Sequence, residues 1–368
     1  MNQENKDLLL RLVERHKELG ISDQIDYDKF YLYSIITHST AIEGSTVTEV
    51  EAQLLFDEGI TSSKRTIVEQ NMNLDLKAAY DYGRVWIKRH EEITVQSLIA
   101  LAAKVMARTG SVYNSTGGTF DASKGELRKL NVTAGIGGKS YMNYQKVPQK
   151  LEAFCKELNE RRKALNPADI AAVYELSFWA HLELVTIHPW ADGNGRTCRL
   201  LMNLLQMEYD VLPTKVMKED KAEYIQALID SREGEDIDIF VNCMTQLHCN
   251  HLTHDIDQFI KDVAADMFNK QDFKKKMVDK WSIKPSLADK LADILVYVAD
   301  KEEIRTEMIV GEFGFAETSA KRYLRQLTEF GYLEARGGNK NRTYCKSRNP
   351  TYMTHFSGMS FDYRLLTL

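Results

Sequence analysis

The stretch HPWADGNGRTCR, residues 188–199, combines the residue types that handle phosphate groups. A glycine-rich turn that leads into a helix leaves backbone N–H groups unpaired, and these groups attract anions together with the helix dipole. Arg196 and Arg199 are three residues apart, so on a helix they share a face and can both meet phosphates. Asp192 offers a hard oxygen ligand for Mg²⁺, and His188 has the side chain suited to general-base work near neutral pH. The pattern predicts phosphoryl or nucleotidyl transfer.

The same residue types also occur in ordinary structure. Asp-Gly-Asn-Gly is common turn chemistry, and arginines early in a helix are usually solvated. However, two arginines near the positive end of a helix are unfavourable unless an anion is close to them. Their combination with His188 therefore favours an anion-binding site over a polar helix start.

The stretch resembles the signature of the Fic family, HPFx(D/E)GNGRxxR, with Trp190 in place of the usual phenylalanine. The resemblance covers about residues 25–215. It implies a mainly α fold, a Fic-type helical bundle with a small β-hairpin flap. It also implies an enzyme that transfers AMP from ATP to a Ser, Thr or Tyr hydroxyl of a protein target, or of itself.

The resemblance assigns a role to each polar residue of the signature. His188 would deprotonate the attacking hydroxyl, and Asp192 would hold Mg²⁺. The nucleotide-binding residues would be Gly193, Asn194, Gly195, Arg196 and Arg199. The first three would hold the α-phosphate of ATP, and the two arginines would meet its β- and γ-phosphates.

A second motif, STAIEGS, lies far upstream and resembles the inhibitory motif of the family, (S/T)xxxE(G/N). Ser39, Glu43 and Gly44 stand at the matching positions. Ser39 and Glu43 are four residues apart and share a helix face. Glu43 could pair with Arg199 and place a negative charge where ATP needs a positive one. The motif therefore implies autoinhibition within the chain. Whether Glu43 also activates water to remove AMP from a modified target stays open.

A Gly- and Ser-rich segment between the two motifs predicts a β-hairpin, at about Leu127–Val132 and Ser140–Tyr144. It resembles the flap of the family, which aligns an extended target segment by strand addition. Leu127, Arg128 and Tyr141 are the flap residues expected to dock the target.

Helical periodicity predicts the elements that must position these motifs. The helix that leads into the signature is apolar on most faces, so we expect it at the centre of a bundle, with Asn166 as N-cap and Pro167 in its first position. The predicted domains are an N-terminal helical region with the inhibitory motif (1–90), a Fic core (91–215), further helices (216–283), a winged helix-turn-helix (284–350) and a tail (351–368).

The predicted winged helix-turn-helix carries a local positive charge. Residues 316–348 contain eight basic and three acidic residues, a balance of +5. Such modules bind DNA, but they also dock proteins or form dimers, and the sequence leaves these alternatives open. The basic residues are Lys321, Arg322, Arg325, Arg336, Lys340, Arg342, Lys346 and Arg348.

The composition of the whole chain limits the alternatives. The 368 residues are 43% hydrophobic and 27% charged, which is typical of a globular protein. The net charge of −5 implies no general affinity for nucleic acid. The five cysteines lack CxxC spacing and suit free thiols in a reducing cytosol. No signal core or membrane-length apolar run is evident, so we expect a cytoplasmic protein without a membrane partner.

A cluster of cysteine and histidine residues between 243 and 254 invites a zinc-site hypothesis. Its spacing does not match known ligand pairs, and a helix would spread these side chains over several faces. A helix with core-facing cysteines and surface histidines is the better interpretation. The residues concerned are Cys243, His248, Cys249, His251 and His254.

The sequence therefore predicts a protein adenylyltransferase that uses ATP and Mg²⁺ and is restrained by Glu43. Two alternatives belong to different classes. One is a DNA-binding regulator in which the Fic fold only senses nucleotide. The other is a different phosphate chemistry on the same fold, such as AMP removal. A homodimer is a further arrangement that the sequence leaves open.

Overall fold

The computed structural model describes residues 1–24, 26–133, 140–266, 270–298, 301, 303–338 and 342–347. The chain divides into two compact units, Met1–Thr253 and His254–Leu368. The boundary between them lies inside the predicted segment 216–283. The tail at 351–368 lies outside the described residues.

The protein is mainly helical, as predicted. The helices that begin in the first unit are α1 (Gln3–Glu18), α2 (Tyr27–Ile42), α3 (Glu49–Asp57), α4 (Ile67–Ile87), α5 (Val95–Val105), α6 (Val147–Ala164), α7 (Ile170–Ile187), α8 (Asn194–Glu208), α9 (Lys221–Gly234) and α10 (Ile237–Asp266). Short 3-10 helices occur at Ile21–Asp23, Ala122–Lys124 and Tyr144–Lys146.

The centre of the first unit is the pair α7 and α8, which are joined by the loop that begins the signature. Of the 18 residues of α7, 13 are buried, and of the 15 of α8, 13 are buried. Helices α2, α4, α5 and α6 pack around this pair. By length and composition α7 could cross a membrane, but 72% of it is buried inside the unit, as in a core helix. The prediction of a buried central helix is thus confirmed.

The start of α7 differs from the prediction. Asp169 is the N-cap, and its Oδ1 accepts from the Ala172 N–H at 3.1 Å. Asn166 instead caps the preceding turn, where its Oδ1 accepts from the Ala168 N–H at 3.1 Å. Both residues can cap, and Asn166 stabilises a turn in which Pro167 is accommodated before the helix begins.

The β-structure near the predicted flap also differs. Strands β1 (Val112–Ser115) and β2 (Gly118–Asp121) form an antiparallel hairpin where the sequence predicted loops. The predicted flap segments approach each other only through a bridge between Thr133 and Ser140 and the hydrogen bond from the Tyr141 N–H to the Val132 carbonyl, 3.0 Å.

No regular strand forms at 127–132, because the backbone there bonds to other partners. The Arg128 N–H donates to the Pro189 carbonyl at 3.0 Å, and the Arg128 side chain donates to the Leu130 carbonyl at 2.8 Å. The expected strands are therefore wrong in this part of the chain, and the tip at 134–139 lies outside the described residues.

The second unit has its own core. Its elements are α11 (Lys270–Trp281), α12 (Pro285–Val298), α13 (Thr306–Phe313), α14 (Glu317–Glu329), β3 (Leu333–Arg336) and β4 (Thr343–Lys346). β3 and β4 pair antiparallel, and Ile304 bridges to Tyr344 on β4. Buried residues of α12, α13, α14 and this hairpin form one apolar cluster. Of the basic residues predicted here, Lys340 and Arg348 lie outside the described residues.

Helix α4 crosses α8 closely at Gly83. A Cβ there would lie 2.6 Å from Leu204 Cδ1, and Leu204 is fully buried and has little room to shift. We expect Gly83→Ala to lower the free energy of unfolding by about 1–3 kcal/mol through overpacking. Gly311 of α13 is the control, since nothing lies within 4 Å of its Cβ position. There alanine should stabilise by roughly 0.5–1 kcal/mol.

Urea unfolding of both variants measures this difference. Tryptophan fluorescence follows Gly83→Ala, because three of the four tryptophans lie in the first unit. Circular dichroism follows Gly311→Ala, because that residue lies in the second unit. Equal stability of Gly83→Ala and the wild type would show that the α4–α8 contact tolerates a larger residue.

Candidate active site

The signature lies in the loop between α7 and α8 and in the first turns of α8. His188 is the C-cap of α7 and has a left-handed backbone, φ 52°. Gly193 is the N-cap of α8 with φ 77°, and a Cβ there would lie 2.6 Å from Met106 Sδ. Only glycine fits both the conformation and the space. The first N–H groups of α8 lack intrahelical acceptors and form an anion cradle.

Asn194 and Trp190 fix the shape of this loop. The Asn194 side chain accepts from the Trp190 N–H at 3.1 Å and donates to the Trp190 carbonyl at 2.8 Å. The Trp190 indole donates to the Gly125 carbonyl at 2.9 Å, and its ring is buried. The Asn194 side chain therefore fixes the shape of the loop, and its contact with the α-phosphate stays a prediction.

Arg196 is buried at the start of α8 beside the end of α5. Its Nη2 lies 3.1 Å from Met106 Sδ and 3.7 Å from Asp192 Oδ1. The buried Nε has no hydrogen-bond partner among the described residues. Burial lowers the pKa of Arg196 below its usual range, although the carboxylates of Asp192 and Glu43 oppose this. Arg196 thus keeps a donor that an anion could use.

Arg199 binds the end of α2, and so brings the second motif to the signature. Its Nε donates to Ser39 Oγ at 2.8 Å, and its Nη2 donates to the Ser39 carbonyl at 2.9 Å. Nη2 also forms an ion pair with Glu43 Oε1 at 2.6 Å. Gly44 follows with φ 103°, a conformation that favours glycine and ends α2. One guanidinium therefore contacts both Ser39 and Glu43.

The Glu43 carboxylate also lies against the first turn of α8. A Cβ on Gly195 would be 2.4 Å from Glu43 Oε1. Burial raises the pKa of Glu43, but Arg199, Arg196 and Lys221 outweigh it, and the pKa is lowered overall. An ionised carboxylate thus occupies the positive end of α8.

Behind Arg199 lies a buried polar chain that the sequence did not reveal. The Tyr224 hydroxyl of α9 is 3.4 Å from Arg199 Nη1 and 2.9 Å from His181 Nε2. Burial, with the Arg199 charge, lowers the pKa of His181 to about 3, so its ring is neutral. Tyr224 can then accept from Arg199 and donate to His181. No motif marks either residue, because each occupies an ordinary position in a helix.

His188 is held by its backbone and by the flap. Its carbonyl accepts from Arg128 Nε at 2.7 Å, and its Nδ1 lies 3.4 Å from the Val185 carbonyl. With the proton on Nδ1, the basic nitrogen is Nε2. Burial lowers the pKa of His188 to about 4, helped by the charges of Arg128 and Arg232 and opposed by Val185 and Glu43. The imidazole is therefore neutral at physiological pH.

The three flap residues have distinct positions. Arg128 is buried, and its Nη2 donates to the Met142 carbonyl at 2.6 Å, which ties the two limbs of the flap together. Leu127 is half-buried against the main core. The Tyr141 ring stacks on the His188 ring, with centroids 3.7 Å apart and planes at 18°. Tyr141 thus contacts the His188 ring, whereas the Arg128 side chain contacts the His188 carbonyl.

Asp192 suits the predicted Mg²⁺. Its side chain is 57% exposed at the mouth of the loop, and Oδ1 accepts from the Gly193 N–H at 2.6 Å. The second oxygen remains open to a ligand. A single carboxylate that shares Mg²⁺ with phosphate oxygens is a usual arrangement for this ion.

The cysteine and histidine cluster of α10 is part of the packing. Cys249 is buried, as expected, but His248 and His251 are buried too, so the prediction of surface histidines was wrong for them. His248 Nε2 lies 2.9 Å from the Tyr174 hydroxyl, and His251 Nε2 lies 2.9 Å from Asp220 Oδ2. These polar partners on neighbouring segments allow the two rings to be buried.

Comparisons with known proteins agree with this geometry. The family model described as Fic/DOC family matches residues 92–206. A Drosophila persimilis protein named protein adenylyltransferase Fic is 30% identical over 222 residues, which cover 60% of this chain and 40% of that protein. The Drosophila grimshawi protein of the same name is 28% identical over 254 residues, 69% of this chain and 47% of that protein. The chain thus spans less than half the length of these relatives.

Solved structures share the fold at lower identity. Fic-1 from C. elegans has a TM-score of 0.55 and 22% identity, covering 69% of this chain and 72% of that one. A Fic domain-containing signaling protein from Bacteroides thetaiotaomicron has a TM-score of 0.56 and 20% identity, covering 69% and 96%. A Fic family protein from Desulfovibrio desulfuricans has a TM-score of 0.55 and 17% identity, covering 95% and 97%.

The resemblance seen in the signature is thereby confirmed by three kinds of comparison. The matched segment begins ahead of α5 and ends within α8, so it contains the signature loop, the flap segment and α7. The chain therefore contains a Fic/DOC family domain at residues 92–206.

Proposed function

We propose that the chain is a protein adenylyltransferase, which transfers AMP from ATP to a hydroxyl side chain of a protein or of itself. The observation that carries the proposal is the signature loop, which presents a neutral histidine at one end and the α8 anion cradle with two buried arginines at the other. Relatives that are about 30% identical bear the name protein adenylyltransferase Fic, which supports the same activity.

The site residues divide the reaction between them. His188 Nε2 takes the proton of the attacking hydroxyl, whose oxygen forms a bond to the α-phosphorus of ATP. The bond between that phosphorus and the bridging oxygen breaks, and pyrophosphate leaves. The α8 N-terminus and the two arginines stabilise the phosphates, so catalysis depends on positioning and charge. Mg²⁺, held by Asp192, would neutralise phosphate charge.

Glu43 restrains this activity in the proposal. Its carboxylate pairs with Arg199 and lies against Gly195, where phosphate oxygens of ATP would otherwise bind. A phosphate group and an ionised carboxylate cannot share these donors without strong repulsion. The purified protein should therefore be nearly inactive until Glu43 moves or is replaced.

The central experiment compares wild type, Glu43→Gly and Glu43→Gly/His188→Ala. Each is incubated with Mg²⁺ and ATP labelled on the α-phosphate, and intact-mass spectrometry records added AMP. Signal only in Glu43→Gly would support the proposal, with Glu43 as the inhibitory residue and His188 as the base. Silence in all three would overturn it in favour of another donor or of nucleotide sensing. Loss of AMP from a pre-modified protein would favour AMP removal.

The pH dependence of transfer follows from the environment of His188. Because burial lowers its pKa to about 4, the base stays neutral well below pH 6.5, the ordinary pKa of histidine. In Glu43→Gly the negative charge that raises this pKa is gone, which moves the midpoint lower still. We expect the single-turnover rate to hold constant from about pH 8 to pH 5. A fall centred near pH 6.5, with the fold intact by circular dichroism, would contradict the assignment.

We further propose that residues 284–350 are a winged helix-turn-helix module. The order of α12, α13, α14 and the β3–β4 hairpin supports this. In α14, Lys321 pairs with Glu317 at 2.5 Å, and Arg325 lies 3.4 Å from Glu329. Exposed pairs of this kind are weak, so both cations remain usable by DNA phosphates. Binding of a labelled duplex, weakening as salt rises, tests this second activity.

A further inference from the structure

We propose that Arg232 of α9 is a positioning residue, which acts through Tyr141 to hold the His188 imidazole in its working orientation. The inference deepens the proposed function and rests on it for its meaning in catalysis. The contacts among these three side chains are observed independently of that function. Arg232 lies outside the segment 92–206 that matches the family model.

The three side chains form a continuous stack. The Tyr141 and His188 rings are 3.7 Å apart at their centroids and 18° from parallel. The Arg232 guanidinium carbon lies over the Tyr141 ring, 4.4 Å from its centroid. Arg232 is half-buried in the last turn of α9, and it forms no ion pair within the part of the chain that the structure describes. Its charge is therefore directed at the aromatic ring.

The stack matters because other restraints on the imidazole are weak. Catalytic histidines are commonly oriented by a carboxylate on Nδ1. Here Nδ1 faces the Val185 carbonyl at 3.4 Å, which is long for a hydrogen bond. Arg128 donates to the His188 carbonyl, which fixes the His188 backbone but not the rotation of its ring. Tyr141 supplies the missing restraint on that rotation.

The orientation of the stack is compatible with catalysis. Tyr141 covers a face of the imidazole, whereas the lone pair of Nε2 lies in the plane of the ring. A hydroxyl can therefore reach Nε2 along the ring edge while Tyr141 stays in place. The flap thus does more than align a target segment, since one of its side chains also contacts the base.

The electrostatic surroundings agree with this role. Arg128 and Arg232 both disfavour the protonated imidazole, and Glu43 favours it, with burial the largest influence. Arg232 is thus close enough for its charge to act on His188 as well as on Tyr141. Replacement of Arg232 should therefore change the position of the imidazole and raise its pKa.

The first test observes His188 directly by NMR in the full-length chain with [¹³Cε1]-labelled histidine, where His188→Ala identifies its signal. In wild type, the Tyr141 ring current should shift the His188 Cε1 proton upfield. Tyr141→Phe should keep this shift, and Tyr141→Leu should abolish it. Arg232→Met should reduce the shift and raise the titration midpoint of His188, whereas Arg232→Lys should restore both in part.

A wild-type shift and midpoint in Arg232→Met would overturn the inference. Arg232 is half-buried on the surface of α9, so this variant should fold even if Tyr141→Leu does not. Circular dichroism confirms that each variant is folded.

The second test measures catalysis in the Glu43→Gly background. Arg232→Met should lower kcat about tenfold or more and leave KM for ATP unchanged, because a misplaced base slows the chemical step. If the NMR shifts behave as expected but no variant transfers AMP, the positioning contact stands and the proposed function fails. If AMP is transferred and Arg232→Met changes neither readout, the function stands and the positioning role fails.

Discussion

Replacing Glu43 with glycine is expected to raise ATP affinity at least about tenfold and to turn a nearly silent protein into one that modifies itself. The carboxylate is ionised, forms an ion pair with Arg199 Nη2 at 2.6 Å and lies against Gly195. Its removal frees a buried cation, which no longer has a carboxylate partner and gains most from binding phosphate. Isothermal titration with ATP and Mg²⁺, followed by mass spectrometry, measures both effects.

Two further variants show whether the effect of Glu43→Gly on ATP affinity comes from the lost charge, from the lost side-chain volume or from a glycine at a helix end. Glu43→Gln keeps the size of the side chain and removes its charge, so it should recover much of the gain if repulsion is the main effect. Glu58→Gly makes the same change at the C-cap of α3, where the residue is exposed, and it should leave ATP affinity unchanged. Equal affinity in wild type and Glu43→Gly would remove Glu43 from the mechanism.

The contact between the two motifs illustrates what a sequence can predict. Ser39 and Glu43 lie one helical turn apart, so a partner that reaches one can reach the other. Arg199 does contact both. Likewise, the glycine-rich stretch predicted the turn before α8, where Gly193 has a left-handed backbone conformation that favours glycine.

The flap and the support of the site could not be predicted in this way. The expected strand at 127–132 was lost to hydrogen bonds from Arg128 to carbonyls that are distant in sequence, such as those of Pro189 and Met142. Local propensity contains no information on such partners. Tyr224 and Arg232 reach the site from α9, and helical periodicity alone does not show what either side chain meets.

Replacing His188 is expected to reduce AMP transfer by about 10²–10⁴-fold, while ATP binding stays nearly unchanged. The imidazole lies at the end of α7, whereas the proposed phosphate donors are on α8, so the base can be removed without changing the α8 anion cradle. The measurement is single-turnover transfer in the Glu43→Gly background, with ATP affinity from titration of each variant.

The choice of substitution affects this test, because His188 has φ 52°. Alanine in a left-handed conformation costs about 1–2 kcal/mol and could disturb the loop, whereas asparagine adopts it readily. His188→Asn is therefore the sharper variant, and it should lose transfer as fully as His188→Ala. Both changes also remove the partner of Tyr141, which would loosen the flap and raise KM for a protein target. Loss of the base, in contrast, lowers kcat. If His188→Asn transfers AMP at a rate within tenfold of that of its parent, the Glu43→Gly variant, another group takes the proton.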